Sequence, residues 1–214
     1  MEKEKIIFVY IDIETDALRA NKLLQIAAVT EDNRQFSLHI NPNADLPLSC
    51  TNITGLYFYR NNLYKNGRLL PSVTVRRALY AFKDWIIRLN HKVHLVGHNI
   101  FAFDIKVLIK HYMRLKIQLP SNIVNIHDTL PVFRKNIKET EIEDHKLGTL
   151  ATFLKIELKH PHDALYDSIA LKDICETFIK EKEIELYDLL KAYEKPLQFF
   201  IKQQEELKIK NGYL

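Results

Sequence analysis

The 214-residue chain predicts a single α/β domain built on a mixed, five-stranded sheet flanked by helices, and three observations carry that expectation. The apolar run over residues 6–13, rich in Ile, Val and Tyr, is too short for a helix and reads as a buried central strand. Two more strand-like segments follow across short polar turns, which makes an antiparallel meander. Beyond them helical and strand patterns alternate, the order of a sheet with helices packed on its faces.

The second and third strands fall at residues 23–30 and 35–40, joined by the polar turn Glu31-Asp-Asn-Arg34. Residues 41–54 carry Pro42, Pro47 and several Asn, and are expected as a loop. Ser72 is the expected N-cap of a helix running to about Asn90, because Val75, Leu79, Phe82, Ile86 and Leu89 follow at helical spacing. Residues 94–96 and 123–126 are the fourth and fifth strands. Between them, residues 104–115 form an amphipathic helix with Ile105, Leu108 and Ile109 inward and Lys106, Lys110 and Arg114 outward. Helices are expected at 147–154, 164–179, 184–193 and 196–208; the core spans about 6–180 and the last two form a helical extension over about 184–210. Leu186, Leu190 and Tyr193 give that extension an apolar stripe that covers the sheet or docks a partner.

With 47 % hydrophobic and 10 % aromatic residues, and no Gly-, Pro- or Ser-rich linker, residues 1–214 have the material for one core. Cys50 and Cys175 form neither a metal-ligand spacing nor a disulfide framework, so free thiols in a reducing compartment are expected. Lys3 and Lys5 precede an apolar stretch that meets Asp12 and Glu14 too soon for a signal peptide, and no apolar run approaches the roughly 20 residues of a membrane span. The expectation is an intracellular protein, nuclear or cytoplasmic. The net charge of +4, from 31 Lys+Arg against 27 Asp+Glu, does not by itself indicate a nucleic-acid partner.

Chemistry is carried by four carboxylates and a histidine. Asp12 and Glu14 end the first strand, and i, i+2 alternation turns both to one face, where two carboxylates repel unless a proton or divalent cation lies between them. A solvated acidic edge strand is the competing reading, but Phe8, Tyr10 and the flanking Ile residues are too apolar for one. Asp104, at a helix start in His98-Asn-Ile-Phe-Ala-Phe-Asp104, is by itself equally a capping carboxylate. His162 stands before a helix that carries Asp167 about one turn in, a mobile imidazole beside a fixed acid, suited to general-base work near neutral pH. Ligands made only of carboxylates favour Mg²⁺ or Mn²⁺ over a structural zinc ion.

The sequence Asp-x-Glu on a strand, His-Asn shortly before an Asp, then His-x-Ala-x-x-Asp resembles the DEDDh branch of the DnaQ-like 3′→5′ exonucleases. Asn52-Ile-Thr-Gly-Leu56, Asp128-Thr-Leu130 and Leu147-Gly-Thr-Leu-Ala151 match further landmarks of that family over about residues 6–180. Residues 22–29 and 195–200 are similar to the branch related to the last-exon region of the promyelocytic leukaemia protein. Two departures stand out: Asp16 replaces the usual small residue after the first acids, and the Asn99 to Asp104 gap is one residue longer than the common spacing.

The resemblance implies a ribonuclease-H-like architecture and two-metal hydrolysis of phosphodiester bonds, with Asp12, Glu14, Asp104 and Asp167 as ligands and His162 as general base. Asp12 would bridge two Mg²⁺ or Mn²⁺ ions, Glu14 and Asp167 would complete one coordination shell, and Asp104 would support the other, partly through water. It also implies 5′-mononucleotides released from a nucleic acid with a free 3′ end, single-stranded or frayed DNA first and RNA second. Thr15, Thr54, Gly55, Leu56, His98 and Asn99 are the implied substrate contacts, with Leu56 wedged against the terminal base. Basic side chains such as Lys65 and Arg68, or Lys106 and Lys110, either track phosphates or are a solvated face. The rival reading is a module that keeps this fold and binds nucleic acid or protein without cutting, but four separated acids and a correctly spaced histidine have no use in it.

Overall fold

A computed structural model describes residues 5–17, 22–160 and 162–210, which leaves Lys3 outside the described residues. All five expected strands are present: β1 (Ile6–Thr15), β2 (Leu23–Thr30), β3 (Gln35–His39), β7 (Lys92–Gly97) and β8 (Ile123–Asp128). A sixth, β9 (Glu194–Pro196), extends the sheet to the order β3-β2-β1-β7-β8-β9. β1 pairs antiparallel with β2 and parallel with β7; β7 and β8 are parallel, and β9 is an antiparallel edge strand.

Alternation along β1 feeds two cores. Ile7, Val9 and Ile11 face α2 (Val75–Arg88), α3 (Asp104–Arg114) and α8 (Leu197–Lys210), through Phe82, Ile86, Leu108 and Phe200. Phe8 and Tyr10 face α4 (Thr129–Asn136), α5 (Leu147–Phe153), α6 (Ala164–Lys182) and α7 (Leu186–Leu190), through Phe133, Leu150, Ile174 and Leu190. A strand covered on both faces has no polar side, so its run of apolar residues is nearly unbroken until the acids.

The loop expected over 41–54 contains a helix, α1 (Leu48–Thr54), that follows Pro47 and ends at Gly55 in the left-handed region, φ 70°. After it comes a second sheet of β4 (Leu56–Tyr59), β5 (Asn62–Lys65) and β6 (Arg68–Leu70). Its hairpins turn on Arg60-Asn61 and Asn66-Gly67, all four with positive φ, as two-residue hairpin loops require. Leu56 and Leu63 pack with Leu24 and Cys50 and seat this small sheet on β2.

The helices differ from expectation in several places: α4 was not expected, and α6 runs three residues past 179 to Lys182. Val73 bridges to Ile40, so α2 starts two residues later, with the Thr74 side chain accepting the Arg77 N–H. The helix expected over 184–193 stops at Leu190 and a 3-10 turn, Lys191–Tyr193, leads into β9, whose Pro196 lacks the N–H a continuing helix would need. Among the described residues no helix is long and apolar enough to cross a membrane. Thr74→Ala is expected to cost about 1 kcal/mol in urea unfolding, whereas Ser72→Ala stays within about 0.5 kcal/mol.

Candidate active site

β1 pairs with β7 only as far as Tyr10 opposite Val96, so its last residues run past the carboxyl end of β7 with β2 alone beside them. Asp12 and Glu14 lie on this overhang opposite Ala27 and Gln25, and a register shift follows between Glu14 and Thr15. They share the face of Phe8 and Tyr10, under the start of α6. There Asp12, Glu14 and Asp167 bring one carboxylate oxygen each to within 4.8 Å of one another.

The position of Asp167 depends on how α6 is tied to β2. Buried Gln25 accepts the Ala164 N–H at 3.2 Å through Oε1, while its Nε2 donates to the helix-capping Asp163 at 2.9 Å. Ser168 donates to the Ala164 carbonyl at 2.7 Å, and its hydroxyl lies 3.3 Å from the Ala27 carbonyl oxygen. His162 precedes the cap, is exposed, and has a left-handed backbone at φ 62°. Its backbone N–H reaches the Asp167 carboxylate, so the imidazole stands at the mouth next to that acid.

Asp104 arrives from the other face. It is the first residue of α3, buried, and accepts the N–H of Ile13, a group that the end of β7 leaves available. The loop before it hangs on Asp128, the N-cap of α4, which accepts the N–H groups of Asn99, Phe101 and Leu130 at 2.9, 3.1 and 3.0 Å. Asn99 adopts φ 61°, and the N–H groups of Ala102 and Phe103 turn back onto the Asn99 carbonyl.

The site repels its own charge. Burial first, then Asp104 and Glu14, raise Asp12 well above the ordinary carboxylate range. Burial, with Asp167 adding to it, brings Glu14 to about 7 even though Lys65 opposes the shift. Burial likewise lifts Asp104 to about 7 against its two backbone N–H donors, and Asp167 to about 6. The ammonium of Lys65 is 2.9 Å from Asp163 and is shared between that acid and the site. A hard divalent cation fits this all-oxygen set, since it relieves the repulsion and accepts several carboxylate oxygens.

The other sequence-derived residues divide. Thr15, half-buried beside Glu14, donates its hydroxyl to the Ala17 carbonyl at 3.1 Å, and Thr54 donates to the Cys50 carbonyl at 2.8 Å while accepting the Leu56 N–H. Gly55 permits the left-handed turn there, and a Cβ would strike Asn66. Leu56 is 1 % exposed, so it supports the small sheet from inside and presents no face to a base. His98 is also engaged within the fold: Nε2 lies 2.8 Å from the His145 carbonyl and Nδ1 2.9 Å from the Thr129 hydroxyl, and burial holds its pKa down at about 4. Asp16 binds the Lys22 N–H at 3.1 Å, which turns its carboxylate to the chain that returns into β2. Sequence reasoning missed Gln25 as the anchor of α6; a glutamine inside an otherwise apolar strand was the available signal. Cys50 and Cys175 are free and buried.

A family model described as an exonuclease, RNase_T, matches residues 9–175. The chain is 28 % identical over 193 residues to the PolC-type DNA polymerase III of Pediococcus pentosaceus, covering 86 % of this chain and 12 % of that protein. It is 30 % identical over 175 residues to the 3′-5′ exonuclease DinG of Bacillus subtilis, covering 78 % and 17 %. It therefore spans under a fifth of the length of these relatives. Among solved structures it superposes on a complex of E. coli exonuclease I with single-stranded DNA, with TM-score 0.62, 19 % identity and coverage of 86 % of this chain and 42 % of that one. Cell-death related nuclease 4 gives TM-score 0.60, 16 % identity and coverage of 82 % and 64 %. These two likenesses show the fold, a mixed sheet flanked by helices of the ribonuclease-H-like kind.

Because the acids sit above their unfolded values, the folded state holds protons that the unfolded state releases, and this stabilisation is lost as pH rises through about 7. His98 and His127, held near 4, act oppositely below their ordinary 6.5, so the window from about 6.5 to 8 isolates the carboxylates. In chelator the thermal midpoint is expected to fall across that window. Asp104→Asn is then expected to melt above the wild type at pH 8, and Mg²⁺ or Mn²⁺ to close the gap.

Proposed function

The chain belongs to the exonuclease family, and we propose that it is a divalent-metal-dependent 3′→5′ exonuclease that releases 5′-mononucleotides from a free 3′ end. The single observation that carries this reading is the meeting of Asp12, Glu14 and Asp167 oxygens within 4.8 Å at the overhanging end of β1, with Asp104 acting on Asp12 from the other side. Those four carboxylates would hold Mg²⁺ or Mn²⁺. Ions bound there supply an activated water at neutral pH and offset charge on the leaving 3′ oxygen.

His162 is the general base in this reading. Its imidazole is exposed at the mouth while its backbone N–H is tied to Asp167, so it can take a proton from the attacking water and pass it to solvent. Asp104, with its carboxylate fixed by two backbone N–H groups, holds its place as charge accumulates.

Beside the acids a cleft runs between α1, β5 and the segment before α6, lined by Thr54, Gly55, Lys65, Asn66, His160 and Tyr166. Lys65 supplies positive charge for a phosphate, and Tyr166, its ring 4.7 Å from that of His160, supplies an aromatic face for a base. The cleft is open, which suits a single strand or frayed end, with DNA favoured over RNA because the named relatives include a DNA polymerase and the superposed exonuclease I holds single-stranded DNA. An intact acid set weighs against a module that binds without cutting.

A 3′-labelled single-stranded DNA incubated with Mn²⁺ is expected to yield labelled mononucleotide. Chelator or Asp12→Asn should abolish release, and His162→Ala should slow it on the order of 10²- to 10⁴-fold without loss of oligonucleotide binding. Binding without release by the wild type in either metal would establish the non-cutting module instead.

A further inference from the structure

A second group of metal-ligating side chains lies on the same sheet face as the acids, but toward the β9 edge of the sheet. Asn125 on β8 pairs with His94 on β7, and His127, two residues on, pairs with Glu194 on β9. Register therefore sends His94, His127, Asn125 and Glu194 to one face. His94 is opposite Phe8, which puts the cluster roughly 13 Å back along β1 from Asp12.

There His94 Nδ1 is 2.9 Å from His127 Nε2, which in turn is 3.7 Å from Glu194 Oε2. The two separations bracket the about 3.3 Å expected between nitrogen and oxygen ligands on a tetrahedral zinc ion. The outer partners also fit: His127 Nδ1 faces the Leu190 carbonyl at 3.4 Å, directing Nε2 inward as a lone pair, and Asn125 donates to Glu194 at 3.2 Å. Phe8 packs edge-on to His94, giving the imidazoles an apolar wall, while the Glu194 side chain, 27 % exposed, leaves a way in from solvent.

We propose that His94, His127 and Glu194 bind one zinc-class divalent ion, distinct from any ion at the carboxylates, that clasps β9 to the sheet. Two imidazoles and a carboxylate select a borderline transition metal over Mg²⁺. β9 is three residues long with Pro196 at its end, a weak strand by itself, and it leads directly into α8, whose Leu197 and Phe200 enter the core. A metal tie across β7, β8 and β9 would fix that junction. The proposal stands independently of the nuclease reading.

The test uses the full chain carrying Asp12→Asn, so that the carboxylate site is disabled, stripped with chelator and titrated with Zn²⁺ in excess Mg²⁺ against a chromophoric zinc indicator. One equivalent of Zn²⁺ is expected to bind and raise the thermal midpoint. Adding Glu194→Gln, at a partly exposed position, or His94→Ala should remove both effects while the far-ultraviolet circular dichroism is preserved. If no zinc is retained, or if Glu194→Gln keeps the equivalent, the cluster is a hydrogen-bonded group only and the proposal fails.

Discussion

Four carboxylates at the end of one buried strand repel one another, and this repulsion sets the terms for the rest of the site. Asp12 and Glu14 cannot part, because strand alternation fixes them on one face, and Asp167 and Asp104 are brought in from opposite faces of the sheet. Burial raises all four toward protonation, and Lys65, already paired with Asp163, offsets only part of the charge. The fold alone does not neutralise this cluster; it holds the oxygens where a doubly charged cation would do so.

The sheet explains how four acids from three distant segments meet. β1 outruns β7, so its last N–H groups and side chains are open on one side. Asp104 takes the Ile13 N–H, and Asp128 holds the loop that delivers it. On the other face Gln25 and Ser168 tie the first turn of α6 to β2, which sets Asp167 against the strand. The two incoming acids are thus held by hydrogen bonds to β1 and β2, with His162 left at the exposed edge.

The strands of the main sheet and the meeting of Asp12, Glu14 and Asp167 were legible because both are written as local patterns: short β-branched runs, and charges where apolar periodicity stops. The small sheet was not expected, although Asn66-Gly67 between strand-forming residues is its hairpin signal. Leu56 shows the limit of motif transfer, since the sequence places it beside the site and only tertiary packing shows that it is buried. β9 was hidden because Glu-Lys-Pro has no strand propensity; its pairing comes from β8 across the fold. His98 carried a family signature, yet its two ring nitrogens serve to hold the His145 and Thr129 segments together.

If these carboxylates form a cation site, anomalous diffraction from crystals soaked in Mn²⁺ will show manganese peaks among Asp12, Glu14, Asp104 and Asp167, absent from Asp12→Asn crystals. Crystals whose carboxylate pocket stays free of manganese at saturating concentration, with the four side chains placed as described here, would contradict a cation site there.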